Sequence, residues 1–358
     1  MKTKIIKVDP EFPELDKVAQ CAKVIRQGGL VIFPTETVYG IAADFNNPKA
    51  MARLREVKKR TDDKPFSVLI AQKGLLSNYS TTNDPVVFKL IDACWPGPLT
   101  IIVPARHEGQ TIGIRMPQNN IALLLVQESQ CTVAAPSANF EGKPAPSTCE
   151  EALRDLDGLV DIAIDGGPAT LGLSSSIVDF TQPKPTVTRQ GAITQEDVDK
   201  ITRRKTVLFV CTGNSCRSVM AEYLLKHMLQ ADPYRPAKDI EVLSAGTSVF
   251  LMSSASAETL TVLRKEGIGA GMHQSRPLNT IIIKKSDLIL VMTKAHRQQV
   301  LERVPEVESR VYLLREFASE PLNVMDIDIP DPIGKPAEAY EECLLVIKDS
   351  IKKLLTLL

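Results

Sequence analysis

Apolar residues follow helix and strand spacing along the whole chain. In the first half, the spacing at residues 15–25 predicts a helix that ends at Gly28 and Gly29. Buried strands are predicted at residues 30–33, 67–71, 99–103, 132–135 and 176–179, with helices near 48–58 and 85–93. We therefore expect an α/β domain in this half.

The pattern restarts near residue 200. A short polar helix at 195–202 precedes a hydrophobic strand at 207–210. Beyond it the pattern predicts helices at 219–230, 254–266, 294–303 and 336–355, and strands at 240–243, 287–292 and 311–314. Alternating strands and helices indicate a parallel sheet with ligands at the carboxyl ends of its strands. We predict two closely joined domains, residues 1–200 and 205–358.

The composition is that of an ordinary globular chain, with 358 residues, 44% hydrophobic and 24% charged. The 43 basic and 43 acidic side chains cancel, which disfavours a strongly basic nucleic-acid protein. No apolar run approaches the ~18 residues of a membrane span, and no signal peptide is recognised. The seven cysteines are never spaced Cys-x-x-Cys, so we expect no disulfide framework, no metal site and a reducing, cytoplasmic location.

The turn after the strand at 207–210 reads CTGNSCRS and leads directly into a helix. Backbone N–H groups in such a turn form an anion site with the helix N-terminus. Arg217 can hold two phosphoryl oxygens through its planar guanidinium. Positive surroundings lower the pKa of a cysteine, so Cys211 is predicted to be a thiolate nucleophile. Gly213 is expected to supply the backbone freedom of the turn.

A leaving group must be protonated, and the segment DIPDPIGK offers a carboxylic acid for this step. Asp331 is the candidate, because Pro332 holds it in an extended or turn conformation. The residues alone therefore predict a cysteine-dependent phosphoryl-transfer site.

Residues 206–356 resemble the low-molecular-weight protein tyrosine phosphatase family. The resemblance lies in the CTGNSCR loop, in SAGT at 244–247 and in the Asp331–Pro332 pair. It implies that Cys211 forms a phosphocysteine, that Arg217 binds phosphate and that Asp331 acts as acid and then base. The remaining implied phosphate-loop residues are Thr212, Gly213, Asn214, which would hold the loop's shape, Ser215, Cys216 and Ser218, which would hydrogen-bond the thiolate.

The sequence leaves two substrate classes open for the phosphatase-like half, phosphoarginine and phosphotyrosine. The loop is similar to the CTGNTCRS of the family's arginine-phosphatase branch, with Thr212 and the small hydroxyl residue Ser215. Ile333 stands where the tyrosine branch often has an aromatic residue. These positions favour phosphoarginine over phosphotyrosine. An arsenate reductase would need more downstream cysteines than Cys343.

The first half has neither GxxxxGK nor GxGxxG. It has a hydroxyl-rich turn at 34–40, a basic helix end at 53–60 with Lys64 beyond it, and a Ser/Asn segment at 134–139 after an apolar strand. Lysine and arginine suit phosphates, so this pattern predicts a polyanion site. A solvated basic helix end and an RNA-binding surface are the alternatives that composition leaves open.

Residues 12–198 resemble the YrdC family, the threonylcarbamoyl-adenylate synthases that start the threonylcarbamoyl modification of adenosine 37 in tRNA. The matching strings occur in family order: FPTETVYG, KKR, WPGPLT, GIRMP, PSAN, DGG, SSSIVD and TRQG. The two resemblances imply a YrdC-like α/β domain with a twisted mixed sheet, followed by a flavodoxin-like phosphatase domain with a parallel sheet.

The YrdC resemblance also implies a reaction. Threonine and bicarbonate give N-carboxy-threonine, whose carboxylate attacks the α-phosphate of ATP and releases pyrophosphate. The implied ATP-binding residues are Lys58, Arg60, Lys64, Ser137, Asn139 and Arg189, and the implied threonine-binding residues are Thr37, Arg115 and Ser175. Mg²⁺ would accompany ATP, and no tightly bound cofactor is expected.

The sequence thus predicts a bifunctional enzyme, an adenylate-forming synthase joined to a phosphoprotein phosphatase. The alternative is a non-catalytic RNA-binding YrdC module that carries a tyrosine phosphatase, recognisable by steeply salt-dependent tRNA binding. The expected partners are L-threonine, bicarbonate, ATP, a phosphoprotein, and tRNA or a tRNA-modification transferase, with no membrane.

Overall fold

The computed structural model describes residues 2–60, 66–107, 109–231, 239–318 and 327–357. The chain divides into two compact units. One comprises Met1–Thr82 and Leu90–Ile201, and the other comprises Asn83–Lys89 and Thr202–Leu358. Each unit has its own sheet and its own apolar core.

Ten strands of the first unit form one sheet within the described residues. They are β1 (Lys4–Lys7), β2 (Val31–Phe33), β3 (Gly40–Asp44), β4 (Val68–Leu69), β5 (Leu99–Pro104), β6 (Thr111–Arg115), β7 (Val133–Ala134), β8 (Ile162–Asp165), β9 (Ser176–Asp179) and β10 (Thr186–Arg189). Their order is β1-β8-β2-β3-β7-β4-β6-β5-β9-β10. Pairs such as β1–β8 and β5–β9 are parallel, whereas β2–β3 and β5–β6 are antiparallel, so the sheet is mixed as predicted.

Helices cover both faces of this sheet. The helices of this part of the chain are α1 (Leu15–Arg26), α2 (Pro48–Lys58), α3 (Leu76–Tyr79), α4 (Pro85–Cys94), α5 (Asn120–Ser129), α6 (Cys149–Leu156) and α7 (Gln195–Arg203), and both α4 and α7 run across a boundary between the two units. Val31 and Phe33 of β2 pack in a core with α1 and α5, whereas Leu30 and Ile32 pack in a core with α2 and α6. Alternate residues of a strand face opposite sides, which explains why this segment is apolar throughout.

The ends of α2 set the position of the basic segment that follows it. Asn47 caps its N-terminus by accepting hydrogen bonds from the N–H groups of Lys49 and Ala50. The helix stops at Lys59, which adopts a left-handed conformation with φ of 51°. The stop therefore leaves Lys58 in the last helical turn and Arg60 in the loop beyond it.

The second unit contains a four-stranded sheet within the described residues. The strands are β11 (Lys205–Cys211), β12 (Ile240–Gly246), β13 (Leu288–Val291) and β14 (Val311–Leu313), in the order β12-β11-β13-β14. All three pairings are parallel. The helices are α8 (Arg217–Ala231), α9 (Ala257–Lys265), α10 (Thr280–Lys285), α11 (Lys294–Arg303) and α12 (Ala337–Leu355).

The central strand β11 is buried on both faces. Val207 and Phe209 pack in a core with α8 and α12, whereas Leu208 and Val210 pack in a core with α10 and α11. This confirms the predicted parallel sheet covered on both faces. It also places the carboxyl end of β11, at Cys211, where a ligand is expected in such a fold.

The sequence pattern missed several elements. Strands β1, β3, β6, β8 and β10 and helices α3, α5, α6 and α10 are present but are not among the predicted elements. The expected strands at 67–71 and 132–135 shrink to the two-residue β4 and β7. The bounds of such short strands depend on their pairing with neighbouring strands, and a local sequence pattern does not specify that pairing.

Candidate active sites

The loop from Cys211 to Arg217 connects β11 to α8, as the sequence predicts. Cys211 is buried, with its Sγ 3.0 Å from the hydroxyl oxygen of Ser218. The backbone N–H of Asn214 donates to the same sulfur at 3.3 Å. Donors directed at the sulfur suit a thiolate nucleophile, because they stabilise its negative charge.

Asn214 provides the unusual backbone conformation of this loop. Its φ is 53°, in the left-handed region that asparagine tolerates better than most residues. Its side chain donates to Ser218 Oγ at 2.9 Å and to Ser244 Oγ at 2.7 Å, and accepts from the N–H of Arg276 at 2.7 Å. The expectation that Gly213 supplies this freedom is wrong, because the residue with positive φ is Asn214.

Ser244 and Gly246 of the SAGT string complete this network, together with Glu222 and His273, which the sequence did not indicate. Ser244 donates to the buried carboxylate of Glu222, and His273 Nε2 lies 2.9 Å from the carbonyl oxygen of Asn214. Gly246 allows the close approach, since a Cβ there would lie 2.5 Å from the carbonyl oxygen of Thr212. The SAGT string that begins at Ser244 was the available signal.

Arg217 and Asp331 meet in the structure. One terminal nitrogen of the Arg217 guanidinium pairs with the Asp331 carboxylate, and the other donates to the carbonyl oxygen of Ile329 at 3.0 Å. Nε of Arg217 is buried and has no hydrogen-bond partner among the described residues. The predicted phosphate-binding group and the predicted acid are therefore neighbours beside the loop that carries Cys211.

Thr212 and Ser215 are less buried than Cys211 and Cys216 in the same loop. Thr212 is exposed, and its hydroxyl lies 2.9 Å from Nε2 of His296. Ser215 lies beside Cys216, with Oγ and Sγ 3.6 Å apart. Ile333 is exposed, and its N–H donates to the Asp331 carboxylate at 3.2 Å.

His296 is a further buried group that the sequence analysis missed. Burial and the positive charge of Arg217 lower its pKa from 6.5 to about 4, so it is neutral at physiological pH. Cys343 is also buried, and burial raises the pKa of its thiol to about 12. A protonated thiol of this kind is inert, which agrees with the rejection of arsenate reductase chemistry.

A cavity of about 740 Å³ opens in the first unit. Seven of the nine residues predicted to bind ATP or threonine line it, namely Lys58, Arg60, Arg115, Ser137, Asn139, Ser175 and Arg189. Lys64 lies outside the described residues. Thr37 is fully buried, with its hydroxyl 2.9 Å from that of Thr35, and Thr35 lines the cavity.

Lys58 holds the loop that carries the Ser/Asn segment. Its Nζ donates to the carbonyl oxygens of Ser137 and Asn139 at 2.7 and 2.5 Å, and contacts Asn139 Oδ1 at 3.4 Å. Burial lowers the pKa of Lys58 to about 8. Since its donors are engaged with the loop, Lys58 contributes mainly positive charge to an anion in the cavity.

Asn139 and Arg60 are held by contacts of their own. The side-chain amide of Asn139 donates to the carbonyl oxygens of Phe140 and Lys143 at 2.9 and 2.6 Å. The guanidinium of Arg60 lies 4.7 Å from the centre of the Phe66 ring, within range of a cation–π interaction. Asn139 thus shapes the turn, and Arg60 is placed at the cavity by an aromatic neighbour.

Two arginines supply positive charge elsewhere in the wall of the cavity. Arg189 donates through Nε and a terminal nitrogen to the backbone oxygen and hydroxyl of Ser175, each at 3.0 Å. The Ser175 hydroxyl in turn lies 2.9 Å from that of Thr100. Partial burial and the charge of Arg115 lower the pKa of Arg189. Neighbouring guanidiniums of this kind favour a bound carboxylate or phosphate.

Glu36, which the sequence did not indicate, is the ion-pair partner of Arg115, a residue that lines the cavity. Its carboxylate lies 2.8 Å from a terminal nitrogen of Arg115, and both side chains are buried. Neither carboxylate oxygen of Glu36 has a hydrogen-bond partner within the described ranges. Burial lowers the pKa of Arg115, and the Glu36 charge opposes that shift. The available signal was the charged Glu36 inside the otherwise uncharged FPTETVYG string.

The fold and the two sites define an α/β protein that combines a basic polyanion cavity with a thiol-dependent phosphoryl-transfer loop. Two family models match the chain. The Sua5/YciO/YrdC model, described as telomere recombination, matches residues 23–191, and the low molecular weight phosphotyrosine protein phosphatase model matches residues 206–358.

Curated relatives agree with both matches. A putative threonylcarbamoyl-AMP synthase from Methanocaldococcus jannaschii is 34% identical over 54% of this chain and 95% of its own length. A protein-arginine-phosphatase from Geobacillus stearothermophilus is 38% identical over 37% of this chain and 82% of its own length. The crystal structure of P. abyssi Sua5 with L-threonine has the same fold, with a TM-score of 0.53, 24% identity and coverage of 87% of this chain and 99% of that one.

The chain belongs to the Sua5/YrdC family of threonylcarbamoyl-AMP synthases and, through its second unit, to the low-molecular-weight protein phosphatases. Both are enzyme families. The chain spans 49–62% of the length of the longer curated synthases that it matches. Among the described residues, no helix is long and apolar enough to cross a membrane, and no group of three His, Cys, Asp or Glu residues could hold a metal ion.

Proposed function

We propose that the chain is a bifunctional enzyme with domains at residues 1–200 and 205–358. The first domain makes threonylcarbamoyl-AMP from L-threonine, bicarbonate and ATP, and the second removes phosphoryl groups from a phosphoprotein. The observation that carries the first activity is the cavity lined by seven of the predicted residues. The second rests on the Cys211–Ser218 contact beside the Arg217–Asp331 pair.

In the synthase domain, the positive wall would bind both anionic substrates. Arg115 would hold the threonine carboxylate, and Arg189 and Arg60 would neutralise ATP phosphates. Lys58 would add charge while it holds the loop that carries Ser137. Binding both reactants in one cavity brings the N-carboxy-threonine oxygen to the α-phosphorus, which supplies the main rate gain in such a reaction.

Mg²⁺ would enter this cavity with ATP. The wall includes the carboxylates of Glu141 and Asp179, which are oxygen ligands of the kind that Mg²⁺ takes. Bicarbonate would enter as a co-substrate. The product would pass to tRNA, with or without a tRNA-modification transferase as partner.

In the phosphatase domain, the Cys211 sulfur would attack phosphorus while the bond to the leaving oxygen or nitrogen breaks. Asp331 would give that atom its proton, and Arg217 would exchange its present partners for phosphoryl oxygens. Water would then attack the phosphocysteine, with the Asp331 carboxylate accepting a proton. Inorganic phosphate and the free thiolate result.

Phosphoarginine is the substrate class that we favour for the phosphatase. The exposed Thr212, the small Ser215 and the non-aromatic Ile333 support it. The relative from Geobacillus stearothermophilus that is named a protein-arginine-phosphatase supports it as well. Phosphotyrosine is the second candidate, and the test is phosphate release from matched phosphoarginine and phosphotyrosine peptides, with C211S as the blank.

The synthase proposal is tested by pyrophosphate release that requires threonine, bicarbonate and ATP together. Triple alanine replacement of Lys58, Arg60 and Ser137 should abolish this release. Replacing Lys49, an exposed lysine on the same helix as Lys58, should leave it unchanged. Undiminished release by the triple variant would overturn the site assignment. Salt-dependent tRNA binding without ATP consumption would favour the RNA-binding alternative.

A further inference from the structure

His296 lies in the first turn of α11, and its side chain contacts the phosphate loop. Its Nε2 is 2.9 Å from the hydroxyl oxygen of Thr212, and its Nδ1 is 2.8 Å from the hydroxyl oxygen of Thr293. The side chain is buried, with 5% of its surface exposed. The mechanism above does not use His296, although it contacts the residue next to the nucleophile.

The ring is neutral in the working pH range. Burial and the Arg217 charge lower its pKa to about 4, against the opposite effect of Asp331 and Asp328. A neutral imidazole has one N–H donor and one bare nitrogen that accepts. One of the two threonine hydroxyls must therefore give its proton to the ring, and the other must accept one.

Thr293 is already an acceptor. It caps α11, and its hydroxyl oxygen accepts the backbone N–H of His296 at 3.3 Å. A hydroxyl oxygen has two lone pairs, so Thr293 can also accept a hydrogen bond from Nδ1–H. In that arrangement Nε2 would be bare, and the Thr212 hydroxyl would donate its proton inward to it.

We propose that His296 is a positioning residue that draws the Thr212 proton inward, so that the Thr212 oxygen presents a lone pair to the leaving group. A guanidinium leaving group brings N–H donors to that lone pair, whereas an aryl group brings none. Thr212 and His296 together therefore favour N-phosphoryl substrates over aryl phosphoryl substrates. The inference rests on the proposed phosphatase function and names the residues that set its substrate class.

Thr212 is exposed, so water pairs with its oxygen when an aryl substrate is bound. Phosphotyrosine thus loses little at this position, and selectivity comes from the contact that phosphoarginine gains. A hydrogen bond from a charged donor corresponds to about a tenfold preference. This sets the size of the effect that the experiment must resolve.

The test compares kcat/KM for matched phosphoarginine and phosphotyrosine peptides in T212V, T212S, H296F and the T212V/H296F double variant. We expect T212V and H296F each to lower the phosphoarginine preference about tenfold. T212S keeps the hydroxyl and should keep the preference. The double variant should match T212V alone, since His296 acts through Thr212. Replacing Gln299, an exposed residue of α11, by alanine is the matched control.

The ¹⁵N spectrum of His296 provides a second measurement that does not depend on activity or on the folding of H296F. We expect a neutral ring protonated on Nδ1 from pH 5.5 to 8. A ring protonated on Nε2 overturns the inference, whatever the enzyme hydrolyses. Equal losses with both peptides in H296F would show a merely structural role and would overturn it too.

Different results would contradict the role of Thr212 and His296 and the proposed phosphatase function. A wild-type protein that prefers phosphotyrosine, with no change of preference in T212V, contradicts the inference and leaves the phosphatase standing. Release from neither peptide contradicts the phosphatase itself.

Discussion

The two proposed anion sites of this protein offer different groups to a phosphoryl ligand. The loop after β11 offers backbone N–H groups and the start of α8, with Arg217 as the one cationic side chain on the loop. The cavity of the first unit offers side-chain charges such as those of Lys58, Arg115 and Arg189. Backbone donors do not titrate, whereas a buried lysine does. We therefore expect the synthase activity to respond to the titration of Lys58 and to loss of the Glu36 charge, and the phosphatase activity to respond to neither.

The change that we expect to have the greatest effect abolishes one activity and leaves the other unchanged. C211S removes the nucleophile and should lower phosphate release by at least about 10⁴-fold, because no other group forms the covalent intermediate. Pyrophosphate release by the first domain should stay unchanged in the same preparation. A parallel loss of both activities would contradict the assignment of independent chemistry to the two sites.

The next effect concerns the buried ion pair between Glu36 and Arg115, of which Arg115 lines the cavity. E36Q leaves Arg115 buried without its counter-charge, and breaking a buried pair costs about 3–5 kcal/mol of unfolding free energy. Urea unfolding followed by fluorescence of Trp95, the single tryptophan of the chain, reports on the first unit.

D155N is the matched control for this experiment. It breaks the exposed Lys143–Asp155 ion pair, so it should cost about 1 kcal/mol or less. Equal costs for the two variants would show that the Glu36–Arg115 pair is not a special feature of the wall.

A smaller effect follows from the pKa of Lys58. That pKa is lowered from 10.5 to about 8, so the amine is charged below pH 8 and loses its charge above it. The kcat/KM for ATP, which reports the free enzyme, should fall about tenfold per pH unit above pH 8. K58R keeps the charge and should remove this fall, although its absolute rate is lower. Phosphate release should show no inflection at the same pH, since Lys58 takes no part in the proposed phosphatase chemistry.

The smallest effect tests which residue shapes the phosphate loop. G213A should change phosphate release by less than about threefold, because an added Cβ meets only Ser215 Oγ, at 3.4 Å. N214A removes three side-chain hydrogen bonds from a left-handed position and should cost about tenfold or more. A severe loss in G213A with a mild loss in N214A would reverse our account of the loop.

Local sequence predicted the second site better than the first. The nucleophile, the phosphate-binding arginine and the start of a helix fall within eight consecutive residues, so strand, turn and helix signals coincide there. The cavity is assembled from segments up to about 150 residues apart, and the strings identified them without showing which atoms face the ligand. The FPTETVYG string, for example, did not show that Thr35 lines the cavity whereas Thr37 does not.

The amino-acid sequence was sufficient to predict the two α/β halves, the family of each and the segments that carry the proposed chemistry. Those properties depend on local spacing and on strings of adjacent residues. Three features could be seen only in the folded chain: the positive φ of Asn214, the pairing of Glu36 with Arg115 and the contact of His296 with Thr212. Each of these contacts joins residues brought together by strand order and burial, and the free energy of a buried charge or hydrogen bond depends on that environment.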